Sequence, residues 1–236
     1  MDFPQNILNK FMVRKDYLEW IRKETSIIAY LDLTNMFHWQ NVLGWQFRIE
    51  DLIKQLFNFS NVKAIKVYYG FNKEDEKNSE AFHRRIKKTG AILRTKPMKF
   101  INKDIDEALF FQRKTMTLFD EPIKSKIREL IDELQKSGMI VREPKCNFDV
   151  EMAMDIIDDS EKMTAIMLFS GDSDLSEPLE RLKIKGKKIG IVGVRGKVAG
   201  ELHKIEDKYF DFGKLYNGKR NYFDKSENPA KAGPRD

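Results

Sequence analysis

The sequence predicts an open α/β fold, a mainly parallel sheet joined by crossover helices, and three observations lead there. From Ser26 onward, short β-rich runs alternate with helical stretches, the pattern such a sheet requires. The apolar run 164–169 empties into Ser170-Gly171-Asp172-Ser173-Asp174, a small-residue turn with two acidic side chains. A second apolar run, 26–31, ends in Asp32-Leu33-Thr34-Asn35. Ligands of open α/β sheets sit outside the carboxyl ends of the strands. Carboxylates there suit a hard divalent cation that prefers oxygen ligands. Two acidic strand ends in one chain point to one shared site.

Taken in order, residues 1–25 carry Ile7, Leu8, Phe11, Met12, Leu18 and Ile21 at helical spacing and read as an N-terminal helical extension. Strands are expected at 26–31, 63–69, 90–94, 164–169 and 188–193, with a short one at 208–212, and helices at 47–57 and 79–88. Gly90, Gly171 and Gly186 punctuate the ends. The stretch 102–138 breaks the rhythm with charged helical segments at 104–118 and 122–136, longer than a crossover needs. It reads either as an elongated helix pair on a sheet face or as an inserted arm. Such an arm, anchored by Phe110, Phe111 and Leu118, would grip substrate through Lys114, Lys124, Lys126 and Arg128 or pair two subunits.

In 147–157, Val150, Ala153, Met154 and Ile157 form an apolar helix stripe, which puts Asp149 in the first turn. Asp155 then points away from the stripe, towards solvent or behind the site, and Asp158 and Asp159 read as surface charges. Asp149 could simply complement the helix dipole. Asp and Asn after strands are also common turn formers and caps. Downstream, however, Ser176, Glu177 and Pro178 already supply the cap and first turn of the next helix, so Asp172 and Asp174 are not needed there. After Gly213 the chain turns polar and basic, and 217–236 reads as a flexible tail.

Composition bounds the class. A chain of 236 residues with 41% hydrophobic content can bury a full core, as one large domain or as one domain plus appendages. The charge of +6, from 43 basic against 37 acidic residues, mildly favours polyanionic partners. A lone cysteine, Cys146, rules out an internal disulfide and a cysteine-built zinc site and fits a reducing compartment. No apolar stretch reaches the roughly 20 residues that span a bilayer, and no signal-peptide core stands at the N-terminus. The expected location is cytoplasmic.

The order Asp32-x-x-Asn35, a strand ending Tyr68-Tyr69-Gly70, Asp149 opening a helix, and Ser170-Gly171-Asp172-x-Asp174 closely resembles the NYN domain of the PIN-like nucleases, in particular its LabA-like branch. The similarity continues through Leu179-Glu180-Arg181-Leu182, the Gly186 turn, the strand to Gly193, Leu202, and the run from Asp207 to Phe212. It covers about 26–216, with 102–138 as an expansion; Leu175 stands where the family usually carries an aromatic residue. The resemblance implies a three-layer α/β/α domain with a mainly parallel sheet that binds Mg²⁺ or Mn²⁺ and cuts RNA.

It also implies roles. Asp32, Asp149 and Asp172 would hold the metal directly or through water, Asp174 would add a ligand or orient water, and Asn35 would hydrogen-bond water or phosphate. Ser170 would support them from behind. Arg94, Lys96, Lys145, Arg195 and Lys197, at or near strand ends, are the candidate phosphate contacts. Phe37, His38, Trp39 and Trp45 either stack bases or cover the sheet edge. His38, His83 and His203 show no metal-ligand spacing.

Two rivals come from other classes. A haloacid-dehalogenase-type phosphatase needs a second acidic residue two positions after its aspartyl nucleophile, where Thr34 stands here. A catalytically silent RNA- or protein-binding module would keep the fold without the chemistry.

Overall fold

A computed structural model describes residues 15–104 and 119–215 and divides the chain into two units, Met1–Lys96 with Asn147–Asp236, and Pro97–Cys146. The segment 1–14, most of the expected helix 104–118 and the tail 217–236 lie outside the described residues.

The larger unit runs α1 (Lys15–Lys23), β1 (Ile27–Asp32), α2 (Leu33–Leu43), α3 (Ile49–Phe57), β2 (Val62–Phe71), α4 (Glu76–Lys87) and β3 (Ile92–Pro97). The smaller unit contributes β4 (Lys99–Asp104), α5 (Glu121–Lys136) and β5 (Ile140–Lys145). The larger resumes with α6 (Asp149–Asp158), β6 (Ala165–Phe169), α7 (Ser176–Ile184), β7 (Lys188–Gly193), α8 (Gly200–Ile205), β8 (Lys208–Asp211) and the single turn α9 (Phe212–Leu215).

Six strands form one sheet in the order β3-β2-β1-β6-β7-β8. β1 pairs in parallel with β2 and with β6, β6 with β7, and β7 with β8. The central strands are apolar at almost every position because both faces are covered; all five residues of β6 are buried. Alternate strand residues serve alternate faces. Ala29, Leu31, Val67, Met167 and Phe169 join one core with side chains of α1 to α4. Ile28, Tyr30, Tyr68, Leu168 and Ile191 are equally buried but lie outside that core, on the face served by α6 and α7. Sheet residues facing two helical layers make the expected three-layer α/β/α sandwich. Trp20 of α1 seats on β7 where Gly190 stands; a Cβ there would come within 2.8 Å of the indole.

The switch point lies at β1, whose neighbours β2 and β6 are reached by connections running in opposite directions along the sheet. Ligands of doubly wound sheets bind in the crevice at such a point. Both acidic strand ends therefore meet there.

The smaller unit is an antiparallel ribbon with Lys99 opposite Lys145 and Asp104 opposite Ile140, plus α5. Asp120 caps α5 by accepting from the Ile123 backbone N–H at 3.3 Å. Arg142 lies over the Phe100 ring at 4.7 Å, and Lys103 pairs with Glu143. The stretch expected to be helical over 102–138 is thus a unit spanning 97–146, opened and closed by strands. β4 and β5 were hidden in the sequence because they are short and mostly exposed.

One expectation is inverted. The stripe Val150, Ala153, Met154 and Ile157 does not face the core: Val150 and Met154 are 69% and 61% exposed. The buried face of α6 is Met152, Asp155 and Ile156, followed by buried Asp159. Asp155 and Asp159 are therefore interior residues, and the apolar stripe looks outward.

Candidate metal centre

Asp32 is the last residue of β1 and the N-cap of α2, accepting from the Asn35 backbone N–H at 3.1 Å. The capping role and the candidate chemical role coexist in one carboxylate, because its other oxygen accepts from the Ser170 hydroxyl at 3.1 Å. Ser170 is fully buried and its Oγ in turn accepts from the Asp172 backbone N–H at 3.2 Å. A single hydroxyl thus ties the end of β1 to the turn after β6.

Asn35 completes that tie. Its Oδ1 accepts from the Trp39 indole N–H at 2.9 Å and from the Gly171 backbone N–H at 3.3 Å. Two donors on the oxygen leave the amide nitrogen free to donate elsewhere. Trp39 is buried and Phe37 sets its ring edge against Tyr69, so these two aromatics pack; His38 is exposed.

Asp172 accepts from the Asp174 backbone N–H at 3.1 Å, an Asx turn that holds both acids at the strand end. Gly171 is required beside it. A Cβ at Gly171 would meet the Lys197 carbonyl oxygen at 1.9 Å, and the Gly171 carbonyl accepts from the Ala199 N–H at 3.0 Å. The loop after β7, with exposed Arg195 and Lys197, closes directly on the acidic turn.

Asp149 enters from α6. Its backbone N–H donates to Asn147 Oδ1 at 2.7 Å, and the Asn147 amide donates to its carboxylate. Asp149, Asp172 and Asp174 each offer an oxygen, all within 4.8 Å of one another, the one such group of three among the described residues. Asp32 is not in that group but is close enough for its charge to interact with Asp149 and Asp172. Burial, reinforced by those two neighbours, pushes the Asp32 carboxyl up to about 6 against its hydrogen bonds from Asn35 and Ser170. Burial and the charges of Asp172 and Asp174 likewise raise Asp149. A divalent cation bound to these hard oxygen donors would relieve the burial and neighbouring charge that resist ionisation of Asp32 and Asp149.

The remaining candidates are placed as follows. The Arg94 guanidinium holds both oxygens of Asp155, Nε to Oδ2 at 3.2 Å and the second contact at 3.0 Å. Lys96 pairs with Glu151 at 2.6 Å and lies over the Phe148 ring. Lys145 is exposed at the end of β5 in the smaller unit.

Sequence reading missed the network beneath Asp149. Asp155 accepts from the Tyr68 hydroxyl at 2.6 Å and pairs with Lys66 at 3.3 Å; Lys66 also reaches Asp159 at 2.5 Å. Tyr30 donates to Asp159 Oδ2 at 2.9 Å. Burial works against ionising Asp155, but Tyr68, Arg94 and Lys66 outweigh it and hold the carboxyl below its usual range. The available signal was Lys66, a charge set between Ile65 and Val67 in the strand.

Comparison with known proteins bears on this geometry. The NYN domain family matches residues 112–215, a span that holds Asp149, Ser170, Asp172 and Asp174. The chain is 24% identical over 207 residues, 88% of its length and 92% of the relative's, to the low amplitude and bright protein LabA of Synechococcus elongatus. A crystal structure of a protein of unknown function, VPA0982 of Vibrio parahaemolyticus, superimposes with a TM-score of 0.53 at 17% identity, covering 81% of this chain and 96% of that one. The part of the chain that carries Asp149, Ser170, Asp172 and Asp174 is thus similar to the NYN domain family, and most of its length to LabA, on a three-layer parallel sheet with an acidic switch point.

Proposed function

We propose that this protein is a divalent-metal-dependent ribonuclease that hydrolyses phosphodiester bonds in RNA, single-stranded RNA foremost. The observation that carries the reading is the meeting of Asp149, Asp172 and Asp174 within 4.8 Å at the switch point, with Asp32 beside them. The NYN assignment supports it, since this is a nuclease domain class.

Asp149, Asp172 and Asp174 would hold Mg²⁺ or Mn²⁺, with Asp32 as the flanking carboxylate. A bound ion would supply charge neutralisation on the phosphate and a more acidic water. The chain does the positioning. Asn35 presents its amide nitrogen to a phosphate oxygen or a water, because its carbonyl is already occupied by Trp39 and Gly171. Ser170 fixes Asp32 against the Asp172 turn. Arg195 and Lys197, exposed on the loop that closes on Gly171, offset the acidic cluster and draw in the RNA backbone. Arg94 and Lys96 are engaged by Asp155 and Glu151 and reach a phosphate only by exchanging those partners.

No described helix is long and apolar enough to cross a membrane. Under this reading the enzyme works in the cytoplasm.

The test is incubation of the purified protein with labelled single-stranded RNA in Mn²⁺, in Mg²⁺ and in EDTA. Cleavage confined to the metal-containing reactions is expected. RNA that is bound but left intact in both metals would instead identify a silent binding module.

A further inference from the structure

Asp155 on the buried face of α6 and Asp159 just after its end are far too interior to be ordinary surface charges. Asp155 is 9% exposed and Asp159 is 5% exposed. Together they gather Lys66, itself buried, and the hydroxyls of Tyr30 and Tyr68 from the neighbouring strands β1 and β2. Arg94 adds a two-pronged grip from β3. Buried ion networks are poor sources of net stability compared with packed apolar side chains, and their best-attested use is to fix register.

The register fixed here is that of the helix bearing Asp149. Asp155 follows Asp149 by six residues, about 9 Å along the helix axis. Tyr68 touches both ends of that interval: its hydroxyl donates to Asp155 and its ring meets the Phe148 ring at 5.7 Å, immediately before Asp149. Lys96 ties down the same end through Glu151 and the Phe148 face. Side-chain ends lie about 5–6 Å from a helix axis, so a turn of about 20° would displace the Asp149 carboxylate by about 2 Å. Mg²⁺ tolerates ligand distances close to about 2.0–2.1 Å, so a displacement of that size removes a ligand.

We propose that Asp155 is a positioning residue of the metal centre: held by Tyr68, Arg94 and Lys66, it sets the rotation of α6 and thereby aims Asp149 at Asp172 and Asp174. The inference rests on the proposed role of those three carboxylates as metal ligands. It gives Arg94 a role distinct from phosphate binding.

The experiment measures Mn²⁺ affinity by titration of the full chain, well below its melting temperature, in wild type, Asp155→Asn, Arg94→Gln and Tyr68→Phe. Ile53→Val, which lightens the core on the opposite face of the sheet, serves as a destabilised control. Residues that orient metal ligands from behind typically change affinity by about 10–100-fold. Asp155→Asn is expected to weaken Mn²⁺ binding at least about tenfold, Arg94→Gln and Tyr68→Phe several-fold, and Ile53→Val not at all. Because Arg94 is half-exposed on an edge strand, Arg94→Gln folds and decides the matter if Asp155→Asn does not. Wild-type Mn²⁺ affinity in all three variants, with lowered melting temperatures alone, would overturn the positioning role and leave a structural network. A wild type that binds no Mn²⁺ would overturn the ligand reading and this inference with it, an outcome distinguishable from the first because binding is absent before any substitution.

Discussion

Replacing Asp32 by Asn should stabilise the metal-free protein, and the size of the effect follows from the site. Burial and the nearby charges of Asp172 and Asp149 push the Asp32 carboxyl from 3.8 to about 6. Each pKa unit corresponds to about 1.4 kcal/mol, so ionised Asp32 opposes folding by about 3 kcal/mol. The folded pKa is raised, so the stability tied to the protonated form is fully present below about pH 4 and is lost as pH rises through about 6. Asn keeps the carbonyl that caps α2 through the Asn35 N–H and removes the charge. Urea unfolding in EDTA between pH 4 and 8 should therefore show Asp32→Asn more stable by about 2–3 kcal/mol at pH 8, with the gain fading towards pH 4. Asp155 and Asp159, whose pKa values are lowered, act in the opposite sense below about pH 4, equally in both proteins, and cancel in the difference. Millimolar Mn²⁺ should narrow or reverse the gap by stabilising the wild type more. No gain at pH 8, or the same gain at pH 4, would refute the electrostatic account.

Other outcomes follow from the same geometry. On α6, Met152→Ala should cost about 2–5 kcal/mol because the side chain is buried, whereas Met154→Lys should stay within about 0.5 kcal/mol; thermal melts in which Met154→Lys is the costly one would instead place the Val150–Met154 stripe in the core. Gly171→Ala should drive the loop carrying Lys197 away from the acidic turn, lowering stability by about 1–3 kcal/mol and metal affinity with it. Reversing Arg195 and Lys197 to Glu should weaken single-stranded RNA binding and, if each makes one phosphate contact, flatten the salt slope by about 1.4, with the melting temperature unchanged.

Much of this was legible in the chain because parallel-sheet strands declare themselves. β1, β6 and β7 are nearly uninterrupted apolar runs, and the acidic residues that end β1 and follow β6 stand where chemistry is expected. Asp32, Asp172 and Asp174 could be singled out in that way, and Asp149 by its place in the first turn of a helix. The orientation of α6 could not. Val150, Ala153, Met154 and Ile157 make a better apolar stripe than Met152, Asp155, Ile156 and Asp159, yet the second face is the buried one. The tertiary partners Lys66, Arg94, Tyr30 and Tyr68 make burial of two carboxylates possible, and no local pattern announces a partner 61 to 129 residues away. The strands β4 and β5 escaped for a different reason: a two-stranded ribbon exposed on both sides carries no clear alternation.

The most direct test of the ribonuclease reading is single-turnover cleavage of labelled single-stranded RNA in Mn²⁺ by wild type and Asp172→Asn, with circular dichroism confirming that both are folded. The substitution removes one charge from the cluster of Asp149, Asp172 and Asp174 at nearly constant volume. Loss of cleavage by about 100-fold or more, about 2.7 kcal/mol of barrier, is expected, with the fold intact. Cleavage at the wild-type rate by Asp172→Asn would contradict it and move the chemistry elsewhere in the molecule.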